Sequence, residues 1–323
     1  MPDIFGTILW PIKWVVELIL VAWHWVFSNI GMDPAAGITW VLSIVGLTVV
    51  VRAALIPIFV RQIKNQRRML EIAPQLKKIQ DKYKGKKDQF SREAMSRETM
   101  ELYKKTGTNP LSSCLPLLLQ MPVFFALFQV LNGAQSGKAG VGPLNATLAE
   151  QFGSATLFGV APLHQSFSGA QHANPPQVAV MVIAAIMVVL MTGSQFLTQL
   201  QIVSKNMSPE TKASPQFKQQ RILLYLLPFV FLFSGYAFPL GVMFYWLTSN
   251  LWTMGQQFLV IRNLPTPGSD AAKAREARLA RKGKLVQDGA IVLQVDEVPQ
   301  KPVTTQRVQP VNKNRAKKQA GKK

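Results

Sequence analysis

Arg52 is the one charged residue between Ile38 and Val60, an apolar run otherwise long enough to cross a bilayer as a helix. An arginine in mid-membrane costs about 2.5–3.5 kcal/mol or more on insertion scales, so something must hydrate or pair it. Asp and Glu are missing from 38–60, 111–131, 178–200 and 222–260, which leaves Arg52 no intramembrane counter-ion in its own chain. A proton- or cation-coupled carrier normally places a carboxylate there. The polar side chains that do occur in the other apolar runs include Gln120, Gln195 and Asn250. A guanidinium among carboxamides attracts carboxylates and orders water, and it does not exchange protons near neutral pH. Other chemistries lack their residues. The single Cys114 excludes an intrachain disulfide, and His24, His164 and His172 show no ligand spacing. No P-loop and no nucleophile–base constellation is present. Neither a catalytic residue nor a metal or cofactor is expected, and the chain is read as a non-enzyme.

These residues must be positioned by helices in a membrane. The chain is 48% hydrophobic yet carries a formal net charge of +20. Its charges are segregated between apolar runs, as in a polytopic membrane protein. The N-terminus lacks the basic start of a signal peptide. Within 1–37, the stretch 8–27 sets Lys13, Glu17 and His24 on one stripe among Trp10, Trp14, Trp23 and Trp25. That pattern predicts an amphipathic helix lying in the interface, with an extra span as the alternative. The first span is 38–60. A basic segment, 61–110, repeats apolar residues at Met69, Ile72, Leu76, Ile79 and Tyr83, then again at Phe90, Ala94, Met95 and Leu102. It predicts a hairpin of two helices, which serves as a docking arm or a solvated connector. Spans 111–133, 178–200, 222–238 and 239–261 follow, separated by a polar loop (134–177), a cytoplasmic loop (201–221) and a tight turn. The tail, 262–323, is basic, lacks a long apolar pattern and is expected to be disordered.

Segments 61–110, 201–221 and 262–323 hold 14, 4 and 15 of the 36 lysines and arginines. The positive-inside rule then places the N-terminus outside and the C-terminus in the cytoplasm. At about 1.5 Å per residue, Arg52 lies ~13 Å above the cytoplasmic boundary, with Gln120 similar and Gln195 and Asn250 at ~15 and ~18 Å. From that depth an arginine snorkelling toward the surface still needs local water, so a groove open to the cytoplasm is preferred over snorkelling alone.

Three stretches resemble one family. Asn109-Pro110-Leu111-Ser112-Ser113-Cys114-Leu115-Pro116-Leu117-Leu118-Leu119-Gln120-Met121-Pro122-Val123-Phe124-Phe125-Ala126-Leu127-Phe128 looks like the signature span of the YidC/Oxa-type membrane protein insertases. Thr48-Val49-Val50-Val51-Arg52 followed by Pro57 resembles that family's groove arginine in its first core span. Phe238-Pro239-Leu240-Gly241-Val242-Met243-Phe244-Tyr245-Trp246-Leu247-Thr248-Ser249-Asn250 resembles the start of its last span, with Gln256-Gln257 fitting the end. The likeness covers roughly residues 7–265, and the family's large extracytoplasmic domain and lipoprotein cysteine, seen in some members, have no counterpart.

The resemblance implies an all-α polytopic membrane protein. Five transmembrane helices would surround a hydrophilic groove open to the cytoplasm and lipid, with an N-terminal interfacial helix and a cytoplasmic hairpin. It implies an insertase of the bacterial plasma membrane, acting alone or with the Sec translocon. In it Arg52 attracts polar or acidic substrate segments, Thr48 and Trp246 line the substrate's path into lipid, and Gln120 lines the groove. Gln195 and Asn250 join the set from the depth estimate. The expected partners are nascent membrane proteins, the Sec translocon, the ribosome through tail and hairpin, and lipids, with the monomer as working unit. The rivals are an anion transporter, whose internal repeats and paired broken helices are not visible, and a membrane-anchored RNA or ribosome tether.

Overall fold

Apolar runs with no water to bond satisfy their backbone internally, so helices dominate the architecture. The computed structural model describes residues 4–86, 88–108, 115–209, 212, 233, 235–282, 285–287 and 290–292. Six helices come first: α1 (Ile4–Asn29), α2 (Gly37–Ala54), α3 (Ile56–Glu71), α4 (Ala73–Lys82), α5 (Gln89–Thr106) and α6 (Leu115–Gln135). Then follow α7 (Ala146–Ser154), the antiparallel pair β1 (Thr156–Leu157) and β2 (Ala161–Pro162), α8 (Phe167–His172), α9 (Val178–Lys205), α10 (Leu240–Asn263) and α11 (Asp270–Ala280). Leu9–Asn29, Gly37–Ala54 and Val178–Lys205 are long and apolar enough to cross a membrane. The start of the family-like run, Asn109 to Cys114, most of the expected fourth span (222–232 and 234) and the tail beyond 292 lie outside the described residues.

The chain forms two units, Met1–Arg275 and Glu276–Lys323. In the second, β3 (Leu285–Gln287) and β4 (Ala290–Val292) pair antiparallel. This part of the tail therefore carries regular structure that its charge pattern concealed. Asp288-Gly289, between the strands in sequence, is a pair that favours hairpins.

In the first unit α9 and α10 form the most extensive helix pair, followed by α1 with α2 and α10 with α2. The buried face of α9 is Val180, Ala184, Met187, Met191, Ser194 and Thr198. Their alternating spacing of four and three is the seam of a left-handed helix pair. Buried hydroxyls on these faces bond to their own helices: Ser43 to Thr39 O, Thr48 to Ile44 O, Thr198 to Ser194 O. They line the interfaces without leaving their donors unpaired.

The expected span 38–60 is not one helix. It breaks at Leu55, between α2 and α3. Pro57 has no N–H to offer the carbonyl four residues back, and its ring disfavours helical backbone just before it. Arg52 thus sits in the last turn of α2.

Where α2 and α10 begin, the segment after α6 packs the bundle shut. Trp40, Phe152, Leu144, Leu157, Leu163 and Leu240 are buried there, with Trp40 edge-on to Phe152 at 5.2 Å. The first amides of α10, at Leu240 and Gly241, donate to Gln165 O and Leu163 O. Those N–H groups have no partner inside the helix, and the segment caps them. The segment expected as a plain polar loop, 134–177, is thus a folded cover.

Helix α1 is fastened to this end. His24 Nε2 donates to Pro34 O at 2.9 Å, and its ring stacks on Trp40. Trp23 lies so close over Gly46 that a Cβ there would sit 2.7 Å from its indole. Glu17, 1% exposed, accepts from Val141 N at 2.9 Å and Gly142 N at 2.7 Å. Gly140 is required beside it, because any Cβ there would collide with the carboxylate. The stripe of Lys13, Glu17 and His24 is therefore split between solvent-side and packed positions rather than forming one wet face. Glu17→Ala removes the charged acceptor of two part-buried amide bonds and should lower unfolding stability by about 1–3 kcal/mol, read as a lower thermal midpoint in detergent or nanodiscs.

The basic segment, expected as two helices, carries three, α3, α4 and α5, with α4 packed against α5. Glu98 on α5 accepts from Lys82 and from Tyr83 at 2.8 Å. The Lys82 bond, and then that of Tyr83, hold the Glu98 carboxyl below the ordinary carboxylate range. A depressed carboxylate contributes stability above its unfolded value and loses it as pH falls through the folded one. The α4–α5 contact should accordingly loosen only below about pH 4.3, measured as probe separation across the hairpin.

Candidate functional site

The end of α2 opposite the packed cover carries the site. Arg52 is half-buried, with its guanidinium carbon 5.9 Å from the centroid of the Phe59 ring on α3. Among the described residues no carboxylate lies within ion-pair distance of it. Helix α10, which carries Tyr245, packs against α2. Tyr245 is 3% exposed, and its hydroxyl accepts from Gln120 Nε2 on α6 at 2.8 Å. An amide of α6 and a phenol of α10 thus meet, on a helix that packs against the one carrying the cation.

Among the described residues several buried polar atoms on α3, α6 and α10 have no hydrogen-bond partner: Gln120 Oε1, Ser249 Oγ, Asn250 Nδ2 and both amide atoms of Gln62, which is 2% exposed. Each such group costs about 1–3 kcal/mol when left dry. Sites of this kind are where water or a ligand's polar atoms bind.

Beside this set lies an aromatic cluster. Trp246 stacks on Phe124 at 5.3 Å with ring planes 4° apart, and meets Phe238 edge-on at 5.2 Å. Phe128 completes it, 5.6 Å from Phe238 and 6.2 Å from Phe124. Alternating Tyr245 and Trp246 divides α10 into a polar side and an aromatic side. Of the residues expected in the site, Gln120 bonds Tyr245 on α10, Arg52 lies over Phe59 on α3, and Trp246 stands in the aromatic cluster. Thr48 is 1% exposed, its hydroxyl spent on Ile44 O, so it packs between helices. Gln195 is half-buried on α9, and no hydrogen bond among the described residues joins it to the others.

The 60Kd inner membrane protein family matches residues 31–267. A protein of Tropheryma whipplei (strain Twist) named "Membrane protein insertase YidC" is 45% identical over 320 residues, covering 98% of each chain. The same name belongs to a Streptomyces avermitilis protein, 45% identical over 86% of this chain and 63% of its own length. A Bifidobacterium longum protein of that name is 35% identical over 96% and 95%. The chain belongs to the YidC/Oxa family. It is a member of a family of bacterial inner-membrane proteins, mainly helical and with membrane-spanning apolar helices. Helix α1 up to Ile30 precedes the matched stretch, yet it packs on α2 and α6.

Tyr245, Ser249 and Gln62 were not among the expected site residues. Tyr245 and Ser249 are four apart, one helical turn on one face. That pairing of a phenol and a hydroxyl is the signal the sequence held for them. Gln62 had none, because its burial follows from the position of α3.

Proposed function

We propose that this protein is a membrane protein insertase and chaperone. In this reading its polar groove lowers the barrier for a substrate's hydrophilic segment and its aromatic side releases the apolar helix into lipid. The observation that carries it is Arg52: half-buried, with no carboxylate within ion-pair distance among the described residues, on a helix packed against α10, whose Tyr245 bonds Gln120. A cation kept unneutralised within a bundle is supplied for a charge that arrives from elsewhere. The packed cover at the other end of α2 suits a groove closed on the outside and open to the cytoplasm.

The membrane arrangement proposed has five spans with the N-terminus outside and the C-terminus cytoplasmic. The basic hairpin and tail face the cytoplasm, where they meet ribosomes and anionic lipid. α1 caps the outer side. The protein works as a monomer, alone or beside the Sec translocon, and no covalent chemistry is required: a substrate span gains free energy by leaving the groove for lipid. Insertion needs a binding site for the polar tail, which Arg52, Gln120, Gln62 and Asn250 supply, while Trp246 borders the exit. Depletion of the protein, followed by a survey of small membrane proteins in protease-accessible and membrane-integrated form, tests the reading. Single-span proteins with short outer tails should accumulate uninserted; an unchanged membrane proteome contradicts it.

A further inference from the structure

Between β1 and β2 the chain turns through Leu157-Phe158-Gly159-Val160, closed by a bond from Val160 N to Leu157 O at 3.2 Å. Phe158 and Gly159 both have positive φ, 53° and 73°. Turns with those signs favour Asn-Gly or Asp-Gly, because most side chains crowd their own backbone there. Among the described residues Phe158 is the one non-glycine with positive φ. A bulky aromatic in that conformation is an outlier, and such strain persists where the side chain is put to use. The use is not packing. Ala155, Leu157, Ala161 and Leu163 on the strands and their flanks are buried, whereas Phe158 is 78% exposed and Val160 60%. Nor is the tip dressed for water: no charged residue occurs from Gln151 to Ser204.

The position of the tip says what covers it. Gly37, the first residue of α2, is so close to β1 that a Cβ there would sit 2.5 Å from the Thr156 carbonyl carbon. Helix α2 is long and apolar enough to cross a membrane, and Ile38 in its first turn is exposed. Its first residue therefore stands at the edge of the hydrocarbon. Phe158 is two residues beyond Thr156, so its backbone lies within about 7 Å of that edge. The headgroup layer is about 5–8 Å thick on each side of a bilayer. Whichever way the turn points, the tip stays in or below that layer. Its apolar surface also continues a lipid-facing one, because β2 packs on α9, which opens with the exposed Val178. We propose that Phe158 and Val160 form an interfacial anchor. It seats the folded cover in the headgroup–acyl boundary of the leaflet where α2 enters. The anchor requires α2 to cross the bilayer, and it holds whether or not the protein inserts others.

The test places the full-length protein in phospholipid nanodiscs with a nitroxide on Val160→Cys, after Cys114→Ser has removed the native thiol. Collisions of the label with oxygen, which concentrates in acyl chains, are compared with collisions with a water-soluble nickel chelate. With Phe158 in place, oxygen should dominate. Phe158→Asn supplies a residue that suits positive φ and takes the ring away. Its thermal midpoint in detergent should equal or exceed that of the parent, while nickel collisions in nanodiscs should rise several-fold. Phe158→Leu keeps an apolar side chain on the same strained backbone and should hold the label in lipid. Equal nickel access with Phe158 and with Phe158→Asn overturns the assignment. A lower midpoint for Phe158→Asn does so too, since the ring would then serve packing. So does a label that is wet in pure lipid and shielded only in native membrane vesicles, because a protein partner would then cover the tip.

Discussion

Arg52→Ala should slow insertion of substrates with acidic outer tails about ten-fold or more, from the loss of a charge-assisted bond of about 1.5–3 kcal/mol. Arg52→Lys should keep most of the activity, because a lysine preserves the point charge though not the planar fork. The effect should grow with the negative charge of the tail and be small for neutral tails. The reason is the absence of a resident partner. In a pre-formed ion pair, removing the arginine would strand a carboxylate and destabilise the fold. Among the described residues no carboxylate is stranded, so Arg52→Ala should unfold no earlier than wild type. Activity and stability are thereby separated, and measuring thermal unfolding alongside insertion checks the separation.

Trp246→Ala should show the opposite pattern. The indole is packed against Phe124 and Phe238 at 5.3 and 5.2 Å, and those rings in turn contact Phe128. Truncating a packed tryptophan to alanine costs about 3–5 kcal/mol when the site is buried, and the indole is only partly buried. A loss of about 2–4 kcal/mol is expected. It should appear as a lower thermal midpoint for every preparation, whatever substrate is present. Trp246→Phe keeps ring stacking and should recover most of the stability. If the rings also border the path of the substrate helix, the phenylalanine variant should insert long apolar spans normally, while the alanine variant loses them together with the fold.

The chemistry of the site was more legible in the sequence than its membership. Arg52 without a carboxylate in the apolar runs is a statement about residue types, which a sequence carries directly. Depth counting was weaker. It set Gln120 at ~13 Å and Asn250 at ~18 Å, whereas the hydrogen bond joins Gln120 to Tyr245, five residues before Asn250 on α10 and by the same count about 7 Å deeper still. Counting from the nearest basic residue assumes helices that end at one plane and stand upright, and tilted helices do neither. Thr48 failed for another reason. Its side chain is polar, but a threonine hydroxyl can satisfy itself on the preceding turn, so polarity alone does not place it in a wet groove. The cover over residues 134–177 escaped a charge count because its order comes from side chains such as Phe152 and Leu163 meeting Trp40 and Leu240 from distant parts of the chain. Glu17 shows the same limit: a carboxylate on a helix stripe signals water, and its real partners are two amides over a hundred residues away.

The most direct measurement is insertion by the purified full-length protein in liposomes. A radiolabelled single-span substrate with an acidic outer tail is added, and its protease-protected fragment is followed over time. Wild-type liposomes should yield the fragment well above protein-free liposomes, with Arg52→Ala close to the protein-free level and Arg52→Lys near wild type. Equal protected fragment from wild-type and protein-free liposomes would contradict the insertase account, and equal fragment from wild type and Arg52→Ala would contradict the role of the arginine.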